Sequence, residues 1–205
     1  SEINLDHKGI PLEYDGILSS LAYGANGYIS SWEKEKDSDH ALIIRGVGKK
    51  SREAIQLCWE TGRDFYYIDT GYFGNPRLKV YHRLTKNNLQ FNSELIDRPD
   101  DRFRQTRTKI IKHKPGSKIL ICPPSDKVMM IFNMPDPKTW TQNIIEEIKK
   151  YTDRPIEVRL KPESRSERQN SNTIQDALAD THCLITYNSI AATEALINGV
   201  PAIAL

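Results

Sequence analysis

The 205-residue sequence has only three cysteines, three methionines and three tryptophans, and aromatic rings make up 8% of it. Cys58, Cys122 and Cys183 stand far apart with no CxxC pair, which argues against a disulfide framework and a zinc cluster. Each has apolar neighbours and is expected as a small core residue. No apolar run approaches the roughly 18 residues of a membrane helix; the longest, Val128-Met-Met-Ile-Phe132, is five. No charged-then-apolar leader pattern opens the sequence. Phosphate fingerprints are missing too. Arg45-Gly-Val-Gly-Lys-Lys-Ser51 fails the P-loop spacing because a second lysine intervenes and the first glycine is misplaced, and no Gly-x-Gly-x-x-Gly occurs. A cytoplasmic chain with no membrane partner and no metal is expected. The sequence starts at Ser and stops inside a strand-like run, so missing termini or loops are also expected.

Net charge is small, +2, but unevenly placed. Residues 1–40 carry three basic against eight acidic side chains, whereas residues 77–118 carry twelve against four, a local balance of +8. Such a band suits a polyanionic partner, and a solvated face accounts for it equally well.

The pattern reads as two alternating α/β lobes, 1–115 and 116–205. In the first, the apolar run 39–46 is a buried strand, 50–61 a helix with Ala54, Ile55, Cys58 and Trp59 on one face, and the aromatic run 64–69 a second strand. That β-α-β unit implies a right-handed, parallel connection. A further helix is expected over 16–34, weakened by Gly24 and Gly27. Residues 74–116 are polar, basic and punctuated by Pro76, Pro99 and Pro115. In the second lobe, strands are expected at 117–122, 155–160, 182–186 and 200–205. The helices between them begin at Asp136 or Thr139, at Ile174 and at Ile190. Alternation of this kind predicts doubly wound parallel sheets flanked by helices.

Ligands of open parallel sheets bind beyond the carboxyl ends of the strands. In the second lobe these ends read Pro123-Pro-Ser125, Arg159-Leu-Lys161 and Tyr187-Asn-Ser189. The amides of Ile190 and Ala191, after Asn188 and Ser189, are expected to face an anion at a helix start. Ser125 is taken as a donor-binding residue, Arg159 and Lys161 as diphosphate cations, and Glu194 as a sugar-hydroxyl contact. An ordinary N-cap at Ser189 and a solvated helical acid at Glu194 explain the same residues.

The stretch Asp180-Thr-His-Cys-Leu-Ile-Thr-Tyr-Asn-Ser-Ile-Ala-Ala-Thr-Glu-Ala-Leu-Ile-Asn-Gly-Val-Pro201 resembles the donor-binding half of GT-B-fold glycosyltransferases, including capsule-polysaccharide transferases and sugar-nucleotide 2-epimerases. Arg63-Asp-Phe-Tyr-Tyr-Ile-Asp-Thr-Gly-Tyr-Phe73 looks like a segment of phage-encoded proteins sharing that half, and a phage protein would work in the host cytoplasm. The resemblance implies two Rossmann-like lobes and a nucleotide sugar, UDP-linked by preference, as co-substrate with no further cofactor. Its diphosphate would lie on the Asn188-Ser189 amides with Glu194 toward the ribose or sugar. The sequence departs from the capsule group at Arg159-Leu-Lys-Pro162, where that group carries a histidine.

An inverting sugar transfer needs a base for the acceptor hydroxyl. Asp69, at a strand end, is the first candidate and His82 the second. A cap of the Gly71 turn and a surface histidine are the bland readings. Tyr72, Arg83, Lys86, Arg102, Arg104 and Arg107 suit a phosphate backbone, with Tyr72 stacking a base. The acceptor is therefore a hydroxymethylated pyrimidine in double-stranded phage DNA, or else a glycan. A 2-epimerase or hydrolase on the same fold, and a non-catalytic nucleic-acid-binding module, are the competing functions.

Overall fold

The computed structural model describes residues 12–73, 81–90, 98–113, 115–161 and 172–205, with side chains from residue 16 onward. The chain divides into two units, Ser1–Pro99 and Asp100–Leu205.

The first unit holds helices α1 (Leu12–Gly24) and α2 (Trp32–Glu35), strand β1 (Leu42–Arg45), helix α3 (Lys49–Thr61), and strands β2 (Phe65–Thr70) and β3 (His82–Lys86). The strand order is β1-β2-β3, with β1 and β2 parallel as the β-α-β pattern requires. Ser51, Ala54, Ile55 and Cys58 bury one stripe of α3, and Gly62 stops the helix at φ +71°, where side-chain-bearing residues are strained. Alternation along β2 separates two faces. Phe65 meets Trp59 of α3 edge to face, while Ile68 packs with Ile43 and with Leu18 of α1. Two expectations change here. The helix expected over 16–34 is two helices, because the chain turns at Asn26 (φ +54°), where the Gly27 amide bonds Ala22. The first sheet is also mixed: β3, from the segment with no legible pattern, pairs antiparallel to β2.

The second unit contains α4 (Asp101–Gln105), β4 (Lys118–Cys122), α5 (Asp126–Ile131), α6 (Pro137–Ile148), β5 (Ile156–Val158), α7 (Ile174–Leu178), β6 (Thr181–Thr186), α8 (Ala191–Ile197) and β7 (Ala202–Ala204). All four strands are parallel, in the order β5-β4-β6-β7. Ile119 and Ile121 of β4 point to α5 and α6, packing with Met129 and Trp140. Leu120 and Cys122 point to α7 and α8, packing with Leu178 and Ala195. Both faces are thus sealed by apolar side chains, and each fully buried one contributes roughly 1.5–3 kcal/mol. Asp136 is the cap of α6, accepting from the amides of Lys138 and Thr139. The short helix α5 takes Val128–Ile131 of the longest apolar run, and Phe132 caps its end.

The division at Pro99/Asp100 falls ahead of the 115/116 boundary expected from sequence. Residues 110–113 run along the end of α8: the Ile111 amide bonds the Ile197 carbonyl, and His113 Nδ1 lies 3.0 Å from the Gly199 carbonyl oxygen. Gly199 sits at φ +74°, and an added Cβ would come within 2.6 Å of the Lys112 carbonyl oxygen. The glycine of the Gly-Val-Pro motif is therefore a close-approach position. Gly199→Ala is expected to lose at least about 2 kcal/mol of unfolding free energy in urea titrations, from the left-handed backbone plus the clash. A loss under about 0.5 kcal/mol would show that the 110–113 strap yields freely.

Candidate functional site

In the second unit the chain leaves β4 outward to β5, then returns to β6 on the other side of β4. The carboxyl ends of β4 and β6 therefore diverge, which makes them the switch point where open α/β sheets take ligands. Thr186, fully buried at the end of β6, ties the two strands together: its hydroxyl donates to the Cys122 carbonyl at 2.6 Å. The same oxygen accepts from the Ser189 amide at 3.4 Å, turning Asn188 and Ser189 over the strand end.

Here one expectation is corrected. The Ala191 amide is not free, because Ser189 Oγ accepts from it at 3.2 Å and the Ser189 carbonyl accepts from Ala192. Ser189 closes the start of α8 on itself, as a short hydroxyl side chain readily does. The amides of Asn188 and Ile190 have no hydrogen-bond partner among the described residues.

Glu194 is half-buried on α8, and burial pushes its carboxyl above the ordinary carboxylate range, with the Arg159 guanidinium pulling the other way. Arg159 follows β5. Its amide bonds the Ile121 carbonyl at 2.9 Å, and its Nη2 donates to the Asn172 carbonyl at 2.6 Å. Its charge is also felt at Asp176, whose carboxyl is lowered first by the Thr173 hydroxyl in a capping box, and at Cys122, which burial pushes up to about 11. Arg159 and Glu194 thus share the α7/α8 side of the sheet end.

Lys161 does not join them. With Ser125 it lines an open cleft of about 1010 Å³ on the α5/α6 side, floored by Pro123 and Pro124 and flanked by the first turn of α6. Because β5 ends at Val158, the two cations expected side by side part to opposite faces. Arg159 thus lies on the Glu194 side of the sheet end and Lys161 on the Ser125 side.

In the first unit Asp69 and His82 lie on opposite faces. Asp69 pairs with Arg83 and Thr70 with His82 across β2 and β3, so Asp69 shares the Phe65 and Tyr67 face and His82 takes the other. The two base candidates do not form one acid–base pair. The Asp69 carboxylate accepts from Tyr67 Oη at 3.2 Å and Arg83 Nη2 at 3.1 Å, and from the Thr70 amide at 2.7 Å, while its side chain stays 40% exposed. Burial, then the Asp69 charge, pushes the Tyr67 hydroxyl well above its ordinary value.

Arg83 departs most from expectation. Only 7% of its side chain is exposed; Nη1 donates to Gln90 Oε1 at 2.7 Å, and the guanidinium lies 4.9 Å from the Tyr72 ring centroid. Tyr72 Oη donates to the same Gln90 oxygen. Arg83 and Tyr72 therefore lock an internal network, where a phosphate contact needs an open charge. Lys86 pairs with Asp64 at 2.8 Å and Arg104 with Asp100 at 2.9 Å; Arg102 and Arg107 are exposed. The basic band spans both units, and its Arg77, Lys79 and Lys114 lie outside the described residues. Sequence reasoning missed Tyr67 and Gln90. The i, i+2 spacing from Tyr67 to Asp69 along one strand was the available signal; Gln90 had none.

No protein-family model matches the sequence, and no curated protein does either. Solved structures do. The chain is similar to a KpsC beta Kdo 2,4 transferase of Thermosulfurimonas dismutans, with a TM-score of 0.54 and 13% identity over 100% of this chain and 79% of that one. It is also similar to a KpsC beta Kdo 2,7 transferase of the same organism, with a TM-score of 0.54 and 10% identity over 98% and 77%. The fold is α/β and GT-B-like, with parallel strands flanked by helices. At these identities the likeness carries the fold and nothing finer.

Glu194 gives a pH test. Its proton is held more tightly folded than unfolded, so its stability contribution is full below the ordinary carboxylate range and is lost as pH rises through the raised value. Glu194→Gln is expected to raise the urea midpoint at neutral pH and to flatten its decline from acid to neutral pH. An unchanged pH profile would mean the carboxyl is solvated.

Proposed function

We propose that the chain transfers a sugar from a nucleotide-diphosphate sugar, UDP-linked in the first instance, to an acceptor hydroxyl. The reading is supported by Arg159 and Glu194 lying on one side of the carboxyl end of a parallel sheet, in a chain whose fold is like that of solved sugar transferases. Arg159 and the Ile190 amide stabilise the diphosphate as it leaves, and Glu194 receives a ribose or sugar hydroxyl. The bond from the anomeric carbon to the diphosphate breaks, and a bond to the acceptor oxygen forms. Asp69, assigned as base, takes the acceptor proton. The nucleotide sugar is a co-substrate, so the reaction as written needs no other cofactor.

For the acceptor, a glycan is favoured over modified DNA. Arg83, Lys86 and Arg104, half of the residues assigned to a phosphate backbone, already pair with Asp69, Asp64 and Asp100. The similar structures also bear the names of sugar transferases.

Binding and turnover separate the roles. Thermal-shift titration with UDP-sugars is expected to show Arg159→Ala and Glu194→Ala weakening donor affinity about 10-fold or more, since each removes a charged hydrogen-bonding group. Asp69→Asn is expected to keep donor affinity and lose about 10²–10⁴ in turnover, read as free nucleotide and mass added to glycan or DNA. Nucleotide release with no acceptor labelled would move the assignment to an epimerase or hydrolase. Indifference to every nucleotide sugar would leave a non-catalytic binder, and unchanged affinity in both donor-side variants would remove the site.

A further inference from the structure

The cleft at the ends of β4 and β5 lies across the sheet from Arg159 and Glu194; the sequence expectation placed its Ser125 and Lys161 at the donor, and the proposed transfer uses neither. Its volume of about 1010 Å³ is at the upper end of ligand-sized pockets, far more than a single ion fills. Lys127 of α5, Lys138 of α6 and Lys161 beyond β5 all line it. All three are exposed, and none has an ion-pair partner among the described residues.

The two carboxylates of the cleft are otherwise engaged. Asp136 accepts from the amides of Lys138 and Thr139 and from Thr139 Oγ1 at 2.6 Å, and these bonds hold its carboxyl below the ordinary range. Asp126 stands in the first turn of α5, where the helix end favours a negative charge. Each acid is thus balanced by a helix start, which leaves the ammonium groups unmatched. Between them lie an apolar floor, Pro123 and Pro124, and the exposed side chains of Val158 and Leu160.

Three lysines around one cleft suit a ligand of high negative charge. Arginine grips carboxylates and phosphates alike with two parallel bonds, whereas lysine binds phosphate as a compact point charge that needs no fixed plane. We propose that this cleft is a second binding site, distinct from the Arg159–Glu194 side, in which Lys127, Lys138 and Lys161 hold the phosphates of a ligand and the Pro123–Pro124 floor takes its less polar part. The phosphates belong either to a nucleotide or to another phosphorylated compound.

Amine footprinting of the full chain tests this without knowledge of the natural ligand. Acetylation of each lysine is followed by mass spectrometry with inorganic pyrophosphate, with UDP, or with neither. Pyrophosphate is expected to slow acetylation about tenfold at Lys127, Lys138 and Lys161, with Lys149, at the far end of α6, unchanged, and added salt is expected to erase the protection. Equal protection of Lys149, or none at the three, overturns the site. The UDP arm identifies the source: protection by both probes points to a nucleotide, protection by pyrophosphate alone to another phosphorylated ligand. Repeating both arms on Arg159→Ala tests independence. Persistent protection supports a second site even if sugar transfer fails, whereas protection lost with Arg159 assigns the three lysines to the donor site and overturns the proposal.

Discussion

A parallel sheet sealed on both faces leaves only its strand ends for chemistry, and the second unit is arranged around that constraint. Ile119 and Ile121 close one side of β4, Leu120 and Cys122 the other, and each interior peptide is bonded sideways to a neighbouring strand. Free backbone donors and charged side chains are consequently pushed to the carboxyl rim. Because β4 is central, the chain passes that rim in two directions, toward β5 and toward β6. The Thr186 hydroxyl on the Cys122 carbonyl pins the two ends at fixed separation. The ladder already sets Cys122 opposite Thr186, and the hydroxyl adds a side-chain tie at the point where the strands end.

The first unit solves a different problem, how to keep a carboxylate at the end of a strand in one orientation. Arg83 comes from the neighbouring antiparallel strand, directly opposite Asp69, and is buried. A buried guanidinium is costly unless its donors are taken, and here Asp69, Gln90 and the Tyr72 ring engage it. Its Nε has no hydrogen-bond partner among the described residues, so within them the network is not fully satisfied. Conserving charge inside the network makes Asp69 rigid, and it withdraws Arg83 from any surface that a polyanion touches.

Legibility followed apolar periodicity. The strands 117–122 and 182–186 and the face of α3 were visible because buried side chains repeat at two or three-to-four residues. β3 was not, because His82-Arg-Leu-Thr-Lys86 is polar, and nothing local announces that its arginine is buried by a partner fourteen positions earlier. The strands whose carboxyl ends the sequence singled out at 117–122 and 182–186 are present, as Lys118–Cys122 and Thr181–Thr186. What failed was side-chain direction beyond those ends. Whether Ser189 caps its own helix or faces a ligand, and whether Arg159 and Lys161 converge, depends on where β5 stops, which no pattern in 155–161 encodes.

Glu194 is a costly group to keep at the open end of the second sheet. A half-buried carboxyl whose proton affinity is raised by burial works against folding at neutral pH, and a neutral amide of the same shape would avoid that penalty. The Arg159 charge offsets the burial only in part. A core optimised for stability alone has no reason to retain such a group at the open end of a sheet. A surface kept for binding, as the proposed transfer asks of Glu194, does.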